Sequence, residues 1–194
     1  SVHSVSFSPD GKTIATASRD GTAKLWSINA QLLQTFKGHK TSVLSVNFSP
    51  DGKTIATAST DGSAKLWNLN AQLLKTFSGH KDWIWSVTFS PDGKTIATAS
   101  ADGTAKLRSL NGQPLQSFED NKNEIKSISF SPDGKTIATA GADGTAKLWN
   151  LNGQLLQTFR GHKNEIRSIS FSPDGKTIAT ASRDGTAKLW RTEI

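Results

Sequence analysis

The chain has 194 residues, 35% of them hydrophobic, with 23 Lys and Arg set against 16 Asp and Glu for a net charge of +7. It contains no Cys, which excludes disulfides, thiolate metal sites and thiol nucleophiles, and no apolar run reaches the length of a membrane span. Ten of the 23 basic residues are lysines at Lys12, Lys24 and their counterparts one period on, and ten of the 16 acids recur likewise at Asp10 and Asp20. Charge spread so evenly reads as solvated surface rather than a focused groove, which argues against nucleic acid as partner.

The even spacing has one source. FSPDGKTIATA occurs five times unchanged, from Phe7, Phe48, Phe89, Phe130 and Phe171, always 41 residues apart. A long repeat at a fixed period means one supersecondary unit stacked on copies of itself. No linker breaks the register, so a single domain over 1–194 is expected, with units at about 1–37, 40–78, 81–119, 122–160 and 163–194.

Within the second unit, Val46 and Phe48 alternate as a half-buried strand requires, while Val43 is one residue out of phase. The same offset at Val2, Ile84, Ile125 and Ile166 predicts a β-bulge early in the first strand. Ser49-Pro50-Asp51-Gly52 is a hairpin turn signal. The second strand, Thr54 to Ser59, is rich in small residues and lets a neighbouring sheet approach closely. Asp61-Gly62 turns the chain into a third strand, where Ala64 and Leu66 share one face and Lys65 and Trp67 the other. Asn68 to Ala71 is a looser turn, and Gln72 to Phe77 forms the fourth strand. No stretch carries an apolar stripe at helical spacing, so the fold class is all-β, with four short antiparallel strands per unit as in a propeller blade.

Gly38-His39, Phe48-Ser49-Pro50-Asp51-Gly52, Ala56-Thr57-Ala58-Ser59, Asp61-Gly62 and Lys65-Leu66-Trp67 together resemble the WD-repeat β-propeller family, over the whole chain. The near-identity of the copies is similar to tandem arrays of bacterial, especially cyanobacterial, signalling proteins. The resemblance implies a structural tetrad in each blade: the His of Gly-His, a Ser or Thr of the second strand, the turn Asp and the third-strand Trp. In the second copy these are His39, Thr57, Asp61 and Trp67, with Ser59 on the same strand face as a substitute for Thr57; in the fifth they are His162, Thr180, Asp184 and Trp190. The third copy has Arg108 for Trp, the fourth has Asp120-Asn121 for Gly-His, and the first starts after its Gly-His position.

Such a His, Thr and Asp set could be mistaken for a nucleophile triad. A triad needs one exposed, activated hydroxyl beside an oxyanion hole, whereas a relay repeated in successive blades satisfies buried polar groups. No catalytic function is therefore expected. The histidines sit in separate blades and no phosphate-loop, zinc or dinucleotide motif is present, so neither metal nor cofactor is expected.

The resemblance also implies a partner-binding rim, formed by the start of each first strand and the residue before the turn Asp. These positions hold Leu44, then Trp83 with Trp85, Glu124 with Lys126, and Glu165 with Arg167, and before the turn Arg19, Thr60, Ala101, Ala142 and Arg183. Trp83, Trp85, Lys126, Arg167, Arg19, Arg183 and Leu44 are the candidate contacts, since aromatic and Arg residues dominate binding hot spots. Of the two Trp residues, Trp85 is expected to be the exposed one, because Leu, Lys and Arg fill its equivalents. Drift between recent duplicates would give the same variation without function.

The function that follows is a protein-interaction scaffold; the rival is a multivalent lectin-like propeller, which should repeat its ligand residues in every copy. No counterpart of Gln31 to Phe36 follows the fifth copy's third strand, so the last blade is expected to lack its outer strand and the chain to self-associate, most simply as a two-fold dimer. With no Met and a start inside a repeat, the chain reads as an excised or processed piece, and a cytoplasmic location is expected from the lack of a signal pattern.

Overall fold

A computed structural model describes residues 1–119 and 123–192. The described chain is entirely strand and turn, arranged as five antiparallel sheets. The first sheet is β1 (Val2–Phe7), β2 (Thr13–Ser18), β3 (Thr22–Ser27) and β4 (Leu32–Lys37), in that spatial order. The second runs β5 (Val43–Phe48), β6 (Thr54–Ser59), β7 (Ala64–Asn68) and β8 (Leu73–Phe77). The third is β9 (Ile84–Phe89), β10 (Thr95–Ser100), β11 (Thr104–Ser109) and β12 (Pro114–Glu119), and the fourth β13 (Ile125–Phe130), β14 (Thr136–Gly141), β15 (Thr145–Asn150) and β16 (Leu155–Arg160). Three strands make the last sheet: β17 (Ile166–Phe171), β18 (Thr177–Ser182) and β19 (Ala187–Arg191).

Each sheet is a meander of hairpins, and its turns explain the invariant residues. The Ser8 hydroxyl donates to Asp10 Oδ1 at 2.6 Å and accepts from the Thr13 amide at 3.0 Å. Asp10 Oδ1 also takes the Lys12 amide at 3.1 Å, while Gly11 adopts a φ of 68° that a side chain would strain. The hydroxyl and amide donors hold the Asp10 carboxyl below the usual carboxylate range, and the same is true of Asp51, Asp92, Asp133 and Asp174. The first strand of every sheet slips register where the out-of-phase Val or Ile sits, as between Val43 and Ser45. A second irregularity, between Leu66 and Trp67 in the third strand, had no sequence signal.

Sheets pack face to face, and one interface is built four times. From the earlier blade come three Ala, a Leu and the fourth-strand Phe; from the later come two Val or Ile, a Phe and the second-strand Ile. Between the first two blades these are Ala15, Ala17, Ala23, Leu25 and Phe36 against Val43, Val46, Phe48 and Ile55, with Trp67 joining. Methyl side chains on one side let the branched and aromatic residues of the other approach closely, and burying each of the large residues contributes about 1.5–3 kcal/mol. Because a middle blade has neighbours on both sides, β6 is buried on both faces, in keeping with the small residues that let a neighbouring sheet approach closely. Cross-blade hydrogen bonds pin the inner strands: the amides of Val46, Val87 and Ile169 donate to the hydroxyls of Ser4, Ser45 and Ser127 at 3.2–3.3 Å.

Candidate functional site

The inner strands β1, β5, β9, β13 and β17 all border one axial cavity of about 570 Å³. The position after each bulge residue points into it, so a single register row presents His3, Leu44, Trp85, Lys126 and Arg167. His3 was missed at the sequence level, although its place 41 residues before Leu44 was the available signal. Two residues earlier, the Ser1, Ser42, Trp83, Glu124 and Glu165 carbonyls accept the amides of Arg19, Thr60, Ala101, Ala142 and Arg183 at 2.9–3.0 Å. This backbone clip holds each pre-turn residue against the start of its own blade's first strand, the positions expected to form the rim.

On this rim the expected order of the two Trp residues is reversed. Trp83 is the exposed one, at 47%, whereas Trp85 is half-buried. The reason is in the next blade: Lys126 Nζ lies 3.8 Å from the Trp85 ring centroid, and the indole N–H donates to Glu124 Oε2 at 3.1 Å. Trp83 meets Trp85 edge to face, with centroids 5.4 Å apart, and keeps its other side open. Lys126 is ion-paired with Glu124 and only 14% of its side chain is exposed, so it braces Trp85 rather than offering a free positive flank. Arg167 binds Glu165 Oε1 through Nε at 2.9 Å and Nη2 at 2.8 Å, and Arg183 Nη1 lies 3.7 Å from the same oxygen. Both Arg side chains stay about two-thirds exposed, while Glu165, held below its usual range by the Arg167 hydrogen bonds, is largely covered. Leu44 lines the cavity; Arg19 is exposed beside the second blade, where the Ser42 hydroxyl donates to its carbonyl.

Beneath the rim lie the buried polar chains. In the second blade Trp67 Nε1 donates to Thr57 Oγ1 at 2.9 Å, Thr57 Oγ1 meets His39 Nε2 at 2.8 Å, and His39 Nδ1 meets Asp61 Oδ2 at 3.0 Å. Burial pushes the His39 pKa down despite Asp61, so the ring is neutral, donates through Nδ1 and accepts the Thr57 proton at Nε2. Burial works against the Asp61 charge too, but is outweighed by donors from Ser63, the Lys40 amide and His39, which bring its pKa to about 2. His162, Thr180, Asp184 and Trp190 repeat the chain at 3.0, 2.8 and 2.8 Å. Ser59 does not stand in for Thr57; its hydroxyl accepts the Asp61 amide. His80, Thr98 and Asp102 connect without a Trp, and Trp149 donates to Thr139 and Trp26 to Thr16. The Asp120-Asn121 substitution lies outside the described residues. The Thr57, Thr98, Thr139 and Thr180 hydroxyls are buried, so in these blades the arrangement satisfies polar groups that would otherwise be stranded.

Comparison with known proteins fits this geometry. Residues 1–154 match the model described as IFT122 first beta-propeller, and 153–191 match WD domain, G-beta repeat. The chain belongs to the WD-repeat β-propeller family. A bovine relative, Transducin beta-like protein 3 from Bos taurus, is 50% identical over 40 residues, about one repeat, which is 20% of this chain and 5% of that protein. WD-repeat propellers are generally protein-interaction scaffolds, typically without catalytic activity. No helix among the described residues is long and apolar enough to cross a membrane.

Proposed function

We propose that this WD-repeat domain is a non-catalytic scaffold that seats a protein partner on the rim around the axial cavity, with Trp83 as the aromatic anchor. The observation that carries the reading is the register row itself: one scaffold position, held in identical backbone, is filled by His3, Leu44, Trp85, Lys126 and Arg167 in turn. Trp83 stands proud beside it, braced by Trp85, and Arg167 and Arg183 supply exposed cations two blades further on. A rigid aromatic with a polar surround is the usual composition of an interface hot spot. A lectin would need equivalent ligand residues in each blade, and this row holds five different ones.

The test is quantitative affinity capture with the parent chain and with Trp83→Ala and Arg183→Ala, followed by calorimetry on the strongest purified partner. Loss of a central anchor such as Trp83 should weaken binding by about thirtyfold, equivalent to about 2 kcal/mol, with melting temperature unchanged. Unaltered affinity for Trp83→Ala, or glycan binding on an array with no protein partner, would remove this reading.

A further inference from the structure

Among the described residues two apolar faces are left bare, and they are the two halves of the chain's own internal interface. On the first blade Val5 and Phe7 are each 61% exposed, while their counterparts Val46, Val87, Phe48 and Phe89 are at 8% or less. On the last blade Leu189 is 76% exposed, whereas Leu25, Leu66, Leu107 and Leu148 are at 4% or less. Ala179, Ala181 and Ala187 are exposed beside it, where the matching alanines of other blades are buried. The first face is thus the branched and aromatic half, and the second is the alanine and leucine half.

Two further observations agree. A Cβ on Gly52, Gly93, Gly134 or Gly175 would sit 3.4–3.6 Å from the proline of the preceding blade's turn, but one on Gly11 meets nothing, so Gly11 lacks its proline and Pro173 lacks its glycine. Likewise Gly21, Gly62 and Gly144 pack against backbone of the following blade, while Gly185 has open space.

We infer that the last blade of one copy of this chain docks on the first blade of a second copy, head to tail, reproducing the internal blade interface. Each half is already shown to fit the other, because the same residue types in the same registers meet four times inside the molecule. The two halves are chemically different, so the contact is heterologous: like faces do not pair, and two copies can close only if both contacts form at once. One element differs from the internal interfaces. Each of those supplies a fourth-strand Phe to the later blade, as Phe36 meets the Trp67 ring at 5.9 Å, and the three strands of the last sheet carry no counterpart. A 370 Å³ apolar hollow beside Trp26, lined by Val5, Ile14 and Ile28, marks the place that residue would fill. The copy-to-copy contact is accordingly weaker than the internal ones and depends on concentration.

Light scattering coupled to gel filtration reads the outcome on the 194-residue chain. The mass should rise above 20.8 kDa between about 1 and about 100 micromolar protein. Val5→Asp blocks the first face and Leu189→Asp the last, and since both side chains are exposed, circular dichroism and melting temperature should match the parent. Each variant alone should stay at the single-chain mass, whereas an equal mixture should reach twice it, because one intact face of each kind remains. Phe7→Asp with Ala181→Asp repeats the test at independent positions. A parent chain that is monomeric across the range, or single variants that associate as well as the parent, would overturn the inference.

Discussion

Thr57 offers the sharpest test of the buried polar chains, because the molecule contains its own control. The Thr57 hydroxyl is fully buried and serves two groups, accepting from Trp67 Nε1 at 2.9 Å and meeting His39 Nε2 at 2.8 Å. Thr98 occupies the same place in the third blade and meets His80 without an indole donor, because Arg108 replaces the Trp; each hydroxyl also lies 3.4–3.5 Å from a third-strand carbonyl, of Lys65 or Lys106, so that contact is common to both. Thr→Val keeps the shape and deletes the hydroxyl. Thr98→Val strands one buried nitrogen, at a cost of about 1–2 kcal/mol, and Thr57→Val strands two, including an indole N–H beneath a 2% exposed ring, for about 2–4 kcal/mol. The difference of about 1–2 kcal/mol, at about 2–4 °C per kcal/mol for a chain of this size, should make Thr57→Val melt about 2–8 °C below Thr98→Val. Differential scanning calorimetry on the two variants decides it. Equal melting temperatures would mean that the Trp67 N–H contributes nothing, and the relay would reduce to the His and Asp pair.

Three further expectations follow from the same geometry. Arg108→Trp should stabilise by about 1–3 kcal/mol in urea unfolding, since an indole there can donate to Thr98 and cover Phe77 in place of a charged group; a loss of stability would show that Arg108 has its own partner near Gly79, whose Cβ position lies 3.0 Å from Arg108 Nη2. Ala30 is exposed with a φ of 63°, where Gly112 and Gly153 stand in later copies, so Ala30→Gly should raise the melting temperature, relief of left-handed strain of about 1–2 kcal/mol exceeding the added chain entropy of about 0.5–1 kcal/mol. Acid should weaken the fold in two stages. His39 and His80 have depressed pKa values, so the native state binds fewer protons than the unfolded chain and stability falls as pH drops below the ordinary histidine value of 6.5; a second loss follows between the ordinary 3.8 and about 2, as Asp61 is protonated. A melting temperature that stays level from pH 7 to pH 5 would contradict the neutral-histidine assignment.

The sequence alone determined the local and repeated features, because each rests on residues close together in the chain. A 41-residue period, Pro-Asp-Gly turns and period-2 alternation locate every hairpin, and the single out-of-phase Val43 locates the bulge. Tertiary structure alone decided what lies between copies. Whether Trp83 or Trp85 faces solvent depends on Lys126 and Glu124, about 40 residues away and reached only when two blades pack. The choice of Thr57 over Ser59 as the shared acceptor depends on which of two same-face hydroxyls lies within reach of His39 and Trp67. The identical Val, Phe and Leu side chains that are buried in the middle blades and bare on the outer ones carry no difference in their own repeats. Burial is a property of the neighbour, and a repeat cannot encode whether it has one.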